Sequence, residues 1–587
     1  MPIRRARINL RRLLRRVFRQ DDPPERIARG VAAGFFAAAF PLPGFQIPLS
    51  LLMAFLARGN AAVAVLPQFL SNAGSMVPLA FLQFKIGSWL WPSRAAEVNQ
   101  ALKGLEQAFA ALSWSSPAQS LDEFFAALGR LGLDGLGPLF IGVLVSGALL
   151  AAASYPLTVV AVWTWRARRR RRRVAKGLAA PPLPPFVLDP APCPQLGREE
   201  AIGRYALRAE AFLEAQSVKL LVDGRQAFPA MLSAIAQARD TVDLETYILQ
   251  SDRTGERFAQ ALIAAAGRGA RVRVLFDAVG SLTLSASYVQ RLLAGGVAVA
   301  VFRPLLVVPP SMALHRRDHR KVLVVDGRLA FTGGLNIADD CAPREEGGGG
   351  WRDTHMRLDG VQPAREFLAL FEDTWRKAKP YPAPAGGRAA APEAPAGHAG
   401  TPVADRVAVQ VLSNQEFRQR RRIRRAHMYA INRARHYVLI ENAYFIPDRG
   451  VRRALARAVR RGVKVAVALA QRSDVEIAAM ASRALYGDLL ASGVRLFEWP
   501  HAMLHAKTAV IDDAWAIVGT YNFDHRSLMH NLEVAVVVAD PVFARALRDQ
   551  TLADLGQSRE LTLAQHESRP WRRMLLESAA SQLRYWL

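Results

Sequence analysis

The strongest constraint on this chain is a pattern that occurs twice. His319, Lys321 and Asp326 spell His-x-Lys-x4-Asp, and His505, Lys507 and Asp512 spell it again. Seven residues after each Asp begins a short turn, Gly333-Gly334-Leu335-Asn336 in one copy and Gly519-Thr520-Tyr521-Asn522 in the other. With 11 histidines and 77 Lys+Arg, of which nine are lysine, chance supplies fewer than about 0.02 copies of the motif. Longer strings repeat around it. ARDTVDLETYIL at 238–249 parallels ARHYVLIENAYFIP at 434–447, and GRGARVRVLFD at 267–277 parallels RRGVKVAVALA at 461–471. Each copy reads as helix, β-rich run, helix, then a Gly-led turn into a further strand. That alternation predicts an α/β fold of two similar layered halves, related by a pseudo-two-fold axis, with one site where they meet.

Composition sets the rest of the chain apart. Of 587 residues, 51% are hydrophobic, which excludes low-hydrophobicity disorder. Cys193 and Cys341 are the only cysteines, so neither a disulfide scaffold nor a four-cysteine zinc site is available. The net charge is +27, and 15 units of it fall in residues 1–176, which hold 23 Lys+Arg and 8 Asp+Glu. Eight arginines lie between Arg4 and Arg19 and seven between Arg166 and Arg173. Between these clusters run Ile27–Leu56, charged only at Arg29, Ala61–Trp91, charged only at Lys85, and Leu139–Trp165, which is uncharged. Each run reaches the roughly 20 residues a helix needs to cross a bilayer.

Residues 1–176 are therefore expected to form an all-α transmembrane domain, not a cleavable signal peptide. Both basic clusters belong on the cytoplasmic side, which demands an even number of crossings. Two spans plus a re-entrant segment broken at Pro41-Leu42-Pro43-Gly44 satisfy this. The expected location is a bacterial inner membrane, multi-pass, with the remainder of the chain cytoplasmic. FPLPGFQIP followed by ARGN resembles a widespread bacterial membrane domain of uncharacterised function, over residues 15–175. A Pro-rich linker spans 177–204, with seven prolines between Pro181 and Pro194. An Ala/Pro/Gly linker spans 379–405. The two halves are then 205–378 and 406–587.

The repeated motif carries its own chemistry. The chain has 68 arginines among its 77 basic residues, yet both motif positions hold lysine, a compact point charge suited to phosphate. On a strand, residues i and i+2 share a face, so His319 projects with Lys321 and His505 with Lys507. Asn336 and Asn522, with the turns at Gly333 and Gly519, complete a candidate phosphate-binding set. Two imidazoles, two ammonium groups and two carboxamides make a phosphodiester site that calls for no metal and no cofactor, since clustered acidic metal ligands are not evident nearby.

Duplicated HxKx4D with GGxN and GTxN turns resembles the phospholipase D superfamily, and specifically bacterial cardiolipin synthases. HRKVLVVDGRLAFTGGLNIADD, WRDTHMRLDG at 351–360 and GTYNFDHRSLMHNLE at 519–533 carry the resemblance, which covers about residues 205–587. It implies a two-step displacement through phosphohistidine, with His319 as nucleophile and His505 as general acid by the usual order in the family. The residues alone do not separate the two roles. It also implies that Lys321, Lys507, Asn336 and Asn522 hold the nonbridging oxygens, that Asp326 and Asp512 belong to the motif but shape the fold, and that Glu533 and Glu245 orient the histidines.

The implied enzyme is a membrane-bound transphosphatidylase making cardiolipin from phosphatidylglycerol. The alternatives are a phospholipid hydrolase, a nuclease of the same superfamily and a non-catalytic lipid scaffold. Expected partners are a phospholipid substrate and an anionic membrane, without nucleic acid, because no aromatic residues interleave a basic groove. His315, His501 and His355 read as surface or supporting residues, and His525 receives no role. The eight arginines from Arg418 to Arg435 read as a solvated helix face or a docking face for anionic headgroups. The C-terminal SRPWRRMLLESAASQLRYWL reads as an amphipathic segment packed on the domain or touching a membrane.

Overall fold

The computed structural model describes residues 24–40, 45–70, 73–91, 132–174, 186–188, 196–304, 316–382, 406–415 and 419–583. The Arg4–Arg19 cluster, the break at 41–44, most of both linkers, Cys193, His315 and Arg418 lie outside those residues. The chain divides into two units, Met1–Pro185 and Phe186–Leu587.

In the first unit the apolar runs become helices of unequal length. Ile27–Leu56 falls in α1 (Pro24–Ala38), which starts just before it, and α2 (Gln46–Leu56), each too short to cross a bilayer. Ala61–Trp91 is broken by a 3-10 turn at Leu66–Leu70, which contains Pro67, before α3 (Ala73–Leu90). The last run lies in α4 (Gly132–Val174), whose segment Gly137–Trp165 spans 29 residues and is the one helix among the described residues long and apolar enough to cross a membrane. Helices α3 and α4 touch backbone to backbone: a Cβ on Gly142 would lie 1.7 Å from the Gln83 carbonyl oxygen. Small residues permit such crossings, and Gln83 bridges them by donating to Ser146 Oγ (2.9 Å) and the Ala39 carbonyl (2.8 Å).

The second unit contains two mixed sheets with a common strand order. The first comprises β2 (Ser217–Val222), β3 (Thr241–Thr246), β4 (Arg271–Asp277), β5 (Ala298–Phe302), β6 (Val322–Val325), β7 (Leu329–Gly333), β8 (Thr354–Asp359) and β9 (Lys379–Pro380). Its order is β2-β8-β7-β6-β3-β4-β5-β9. The second comprises β10 (Val407–Asn414), β11 (Tyr437–Asn442), β12 (Lys464–Ala470), β13 (Arg495–Trp499), β14 (Lys507–Ile511), β15 (Trp515–Gly519), β16 (Glu533–Val538) and β17 (Arg559–Leu561), in the order β10-β16-β15-β14-β11-β12-β13-β17. In each, three strands run parallel and the rest antiparallel. The parallel strands are buried on both faces, as in the wholly buried TVDLET of β3 and YVLIEN of β11, because crossover helices cover them. Two of those crossovers are α5 (Arg253–Gly267) and α6 (Ala286–Ala294).

The second half shows why its helices form where they do. Helix α8 (Arg422–Arg433) precedes β11, and α9 (Arg449–Arg460) starts at Asp448, whose side chain accepts from the Gly450 and Val451 amides. Val451, Ala454, Leu455 and Ala458 make its buried stripe at the helical period, with arginines on the opposite face. Helix α10 (Glu476–Ala491) follows β12, and the C-terminal helix α12 (Trp571–Gln582) packs on it through Ala580 against Ala478, Ala481 and Leu485. The C-terminal amphipathic segment thus packs on the domain over the described residues.

The halves share one core. Helix α7 (Val361–Lys377) of the first half and α11 (Pro541–Gln557) of the second bring Phe367, Leu370, Phe543 and Leu547 into a single cluster with Val322, Met356, Val518 and Val536. The expected boundary at residue 205 falls inside an exchanged segment. Tyr205 sits in the core of the second half, and β1 (Leu213–Ala215) pairs antiparallel with β10, adding an edge strand to the second sheet.

The hairpin turns joining β6 to β7 and β14 to β15 explain the motif aspartates. Asp326 and Asp512 have φ of 50° and 52°, so each occupies a left-handed turn position. Asp326 accepts from the amides of Asp240 (2.8 Å) and Thr241 (2.9 Å), at the start of β3. Asp512 accepts from the amides of Arg435 (2.7 Å), His436 (2.9 Å) and Tyr437 (2.7 Å) and from the Tyr205 hydroxyl (2.7 Å). Asp512→Ala, which strands three amides and a hydroxyl, is expected to lower stability by about 3 kcal/mol, read as a shift in the denaturation midpoint.

Candidate active site

Each motif histidine lies on an extended segment entering a central strand, and each segment is stitched to the other half. The His319 amide donates to the Leu532 carbonyl (3.0 Å) and the Leu532 amide to the Arg317 carbonyl (2.9 Å). The His505 amide donates to the Arg352 carbonyl (2.7 Å) and the Arg352 amide to the Met503 carbonyl (2.9 Å). Asp277, at the carboxyl end of β4, also accepts from the Asp318 amide (2.9 Å). Ligand sites in open α/β sheets form at this end of the parallel strands.

These stitches set the side chains. His319 Nδ1 lies 3.1 Å from Glu533 Oε2, and His505 Nδ1 lies 2.7 Å from Asp353 Oδ2. Both carboxylates come from the opposite half. A carboxylate at Nδ1 selects the tautomer with the proton there, which leaves Nε2 as the reactive nitrogen. Glu533 is held in turn by Ser527 Oγ (2.7 Å), Asn531 Nδ2 (3.3 Å) and the Thr520 hydroxyl. Lys321 Nζ donates to the carbonyl of His319 (2.8 Å), and Lys507 Nζ donates to that of His505. Aromatic rings flank both imidazoles, Tyr247 at 5.0 Å from His319 and Trp351 at 5.2 Å from His505.

Burial dominates the electrostatics. His319 is 8% exposed and His505 4%. Desolvation, reinforced by the Lys507 ammonium, pulls Lys321 down to about 7; desolvation alone outweighs the nearby carboxylates at Lys507, which falls to about 8. Two cations this strained accept an anion readily. The carboxylates diverge: burial pushes Glu533 up to about 7, whereas at Asp353 His505 and Lys507 overcome the burial penalty and bring it to about 2. Both histidines are pulled down, to different degrees. Burial and both lysines hold His319 well below its ordinary value, while at His505 the lowering by burial and Lys507 is opposed by ionised Asp353. His319 is therefore the more firmly neutral ring.

Several expected residues take other positions. Asp326 and Asp512 lie at the far end of their strands, roughly 20 Å along the chain direction from the histidines, and their oxygens are occupied by backbone amides, so they hold turns and not substrate. Glu245 does not reach an imidazole. It lies 3.9 Å from Arg320 Nη1, and with neighbouring Asp318 forms a buried carboxyl pair pushed upward by desolvation. Gly333 and Gly519 are close-packing positions: a Cβ on either would lie 2.4 Å from a carbonyl oxygen of the adjacent strand. Asn336 accepts from the Ile248 amide (3.3 Å), and Asn522 is 2% exposed. His355 is buried on β8, where desolvation lowers it to about 4. His501 is exposed and stacks edge-on with Trp499.

Asp353 is the residue that sequence reasoning missed. Strand register supplies the signal: Gly333 faces His355 and Gly519 faces Ala535, so Asp353, just before β8, and Glu533, the first residue of β16, occupy equivalent places two residues before those partners. Gly334 makes room for the shorter acid, since a Cβ there would lie 2.1 Å from Asp353 Oδ1. Its counterpart Thr520 instead donates to Glu533. Among the described residues no group of three or more His, Cys, Asp or Glu is arranged to hold a metal ion. A groove of about 850 Å³ lined by Arg198, Glu214, Val218, Arg406, Asp540 and Phe543 lies by the edge strands and includes none of the motif residues. Gly334→Ala is expected to displace Asp353 and cut turnover about 100-fold without altering circular dichroism, because a misplacement of about 1 Å at a reacting group costs that order.

Comparison with known proteins agrees with this architecture. Residues 231–345 and 428–554 match the family described as "Cardiolipin synthase, PLD-like domain", and residues 7–173 match "Uncharacterized protein conserved in bacteria (DUF2062)". The chain is 33% identical over 367 residues to the major cardiolipin synthase of Bacillus subtilis (strain 168), covering 61% of this chain and 73% of that one. It is 33% identical over 345 residues to cardiolipin synthase A of Pseudomonas putida, covering 59% and 69%. The crystal structure of phosphatidylserine synthase from Haemophilus influenzae Rd KW20 superposes with a TM-score of 0.50 at 13% identity, over 64% of this chain and 97% of that one, which is a likeness of fold. With its duplicated motif, its paired sheets and these relatives, the chain belongs to the phospholipase D-like cardiolipin synthase family.

Proposed function

We propose that the protein is a membrane-bound phosphatidyltransferase that makes cardiolipin from two molecules of phosphatidylglycerol. The observation that carries this reading is the pair of buried histidines, each held by a carboxylate of the opposite half and unequal in charge preference. His319 Nε2 attacks phosphorus, and the protonated His505 gives its proton to the departing glycerol oxygen. The P–O bond breaks as the N–P bond forms, leaving phosphatidyl-histidine. Neutral His505 then removes the proton from a hydroxyl of a second phosphatidylglycerol, whose oxygen attacks phosphorus and releases His319. Lys321 and Lys507, with Asn336 and Asn522, hold the nonbridging oxygens as charge develops.

The first unit supports residence in a membrane. Besides the apolar Gly137–Trp165 segment, it exposes Phe55 (78%), Trp89 (81%), Leu149 (63%) and Leu157 (69%), a surface suited to lipid. We place it as a multi-pass domain of a bacterial inner membrane with the catalytic unit cytoplasmic. An alkaline phosphatase fused after Leu587 is expected to be inactive; an active fusion would put the catalytic unit on the other side.

The function is tested by expression in a cardiolipin-null bacterium with lipid mass spectrometry. Wild type is expected to restore cardiolipin and His319→Ala to make none, whereas accumulation of phosphatidic acid would make the protein a hydrolase. In the same strain's membranes, bis(p-nitrophenyl) phosphate assigns the roles, since nitrophenolate leaves without protonation. His505→Ala is expected to release about one equivalent and stall, and His319→Ala to release none; the reverse pattern would exchange the two roles.

A further inference from the structure

Nearly all the excess charge of residues 177–587 falls within one stretch of sequence. Between Arg418 and Lys464 the sequence holds fifteen basic residues and only two acidic ones, Glu441 and Asp448, whereas residues 177–587 as a whole carry +12. Most of these residues belong to α8 and α9 or to the turns beside them. Arg421, Arg425, Arg433, Arg449, Arg453 and Arg460 are exposed, and none makes an ion pair among the described residues. The opposite faces of both helices, through Ile423, Ala426, Ala430, Val451, Leu455 and Ala458, are buried.

Local preference does not explain the arrangement. Helix α8 has no acidic residue in its first turn and is capped and begun by arginine, a cation at the positive end of the helix dipole, and α9 also begins with arginine, behind the Asp448 cap. Such conflicts with local preference concentrate at functional surfaces. Position gives the second clue. The Ile423 amide donates to Asn414 Oδ1 (3.4 Å), and Asn414 Nδ2 donates to the Ser527 carbonyl (3.1 Å). Ser527 Oγ in turn holds Glu533 (2.7 Å), the partner of His319. Asp448, at the start of α9, pairs with Arg424 of α8 (2.8 Å), and nearby Ile446 donates to the Phe523 carbonyl (3.0 Å). The amino ends of both helices thus lie at the same end of the sheet as the histidines.

We propose that this arginine face docks on the anionic surface of the membrane and brings the mouth of the site to the lipid headgroups. The occupant is a bilayer and not a nucleic acid, because the face adjoins a pocket for a lipid phosphodiester and the chain carries its own apolar helix; the proposal rests on the lipid-substrate reading above. Basic side chains near an anionic leaflet each add severalfold to its attraction, within a Debye length of the surface.

The test uses the full chain reconstituted in phosphatidylcholine vesicles with or without phosphatidylinositol, read by amide hydrogen exchange. Residues 421–433 and 449–460 are expected to exchange about tenfold more slowly when the anionic lipid is present, and to lose that protection in roughly 0.5 M salt. The variant Arg421→Gln/Arg425→Gln/Arg449→Gln/Arg453→Gln is expected to lose the protection too, while turning over monomeric short-chain phosphatidylglycerol within about twofold of wild type. Equal exchange in neutral and anionic vesicles, protection retained in the variant, equal protection by duplex DNA, or loss of turnover on the monomeric substrate would overturn the proposal. Because exchange is read without turnover, a chain that makes no cardiolipin yet shows the protection would refute the enzymatic reading and leave the docking face standing.

Discussion

The structure depends on an exchange of carboxylates. Asp353 of the first half holds His505 of the second, and Glu533 of the second holds His319 of the first. Neither half contains a complete site, and neither can shift against the other without unseating both imidazoles. The reciprocal backbone bridges at Leu532 and Arg352 sit one residue from these pairs, so the alignment of two sheets is fixed by the same contacts that fix two tautomers. Removing one partner of such a buried pair costs on the order of 3–5 kcal/mol, enough to couple chemistry to assembly.

The site is costly to hold together. Two lysines, two histidines and two carboxylates share a desolvated space, and every lysine and histidine in it is displaced toward its neutral form. The shared apolar core around Phe367, Phe543 and Leu547 offsets this, as large buried side chains each contribute about 2–3 kcal/mol. The two halves are alike in fold and unlike in charge, because a short acid beside Gly334 ionises fully while a longer acid beside Thr520 is pushed upward.

What the sequence revealed followed from repetition. The two HxKx4D copies and the alternation of helix and strand gave the α/β halves and the residues that meet, since strand periodicity places His and Lys together without help from tertiary contacts. Asp353 escaped because the glycine-rich stretch before Trp351 lengthens the loop in one half and offsets it from Glu533; only strand register restores the equivalence. Glu245 was misassigned for the converse reason. It repeats faithfully as Glu441, but both pair with buried arginines behind the site, at 3.9 Å from Arg320 and 3.8 Å from Arg352. Hydropathy alone also merged helices that prolines divide, so runs of similar length yielded one helix of membrane-spanning length among the described residues.

The exchanged edge strand bears on how the chain is made. Leu213 pairs with Val409, so β1 emerges early in synthesis while its partner strand does not yet exist. At about 5–20 residues per second, the intervening stretch of roughly 200 residues takes some 10–40 s to appear. During that interval the first sheet can close, but β1 and the helix carrying Tyr205 remain without the surface they cover. Completion of the enzyme therefore waits on its second half, and a nascent chain stalled between the two would carry an open strand edge.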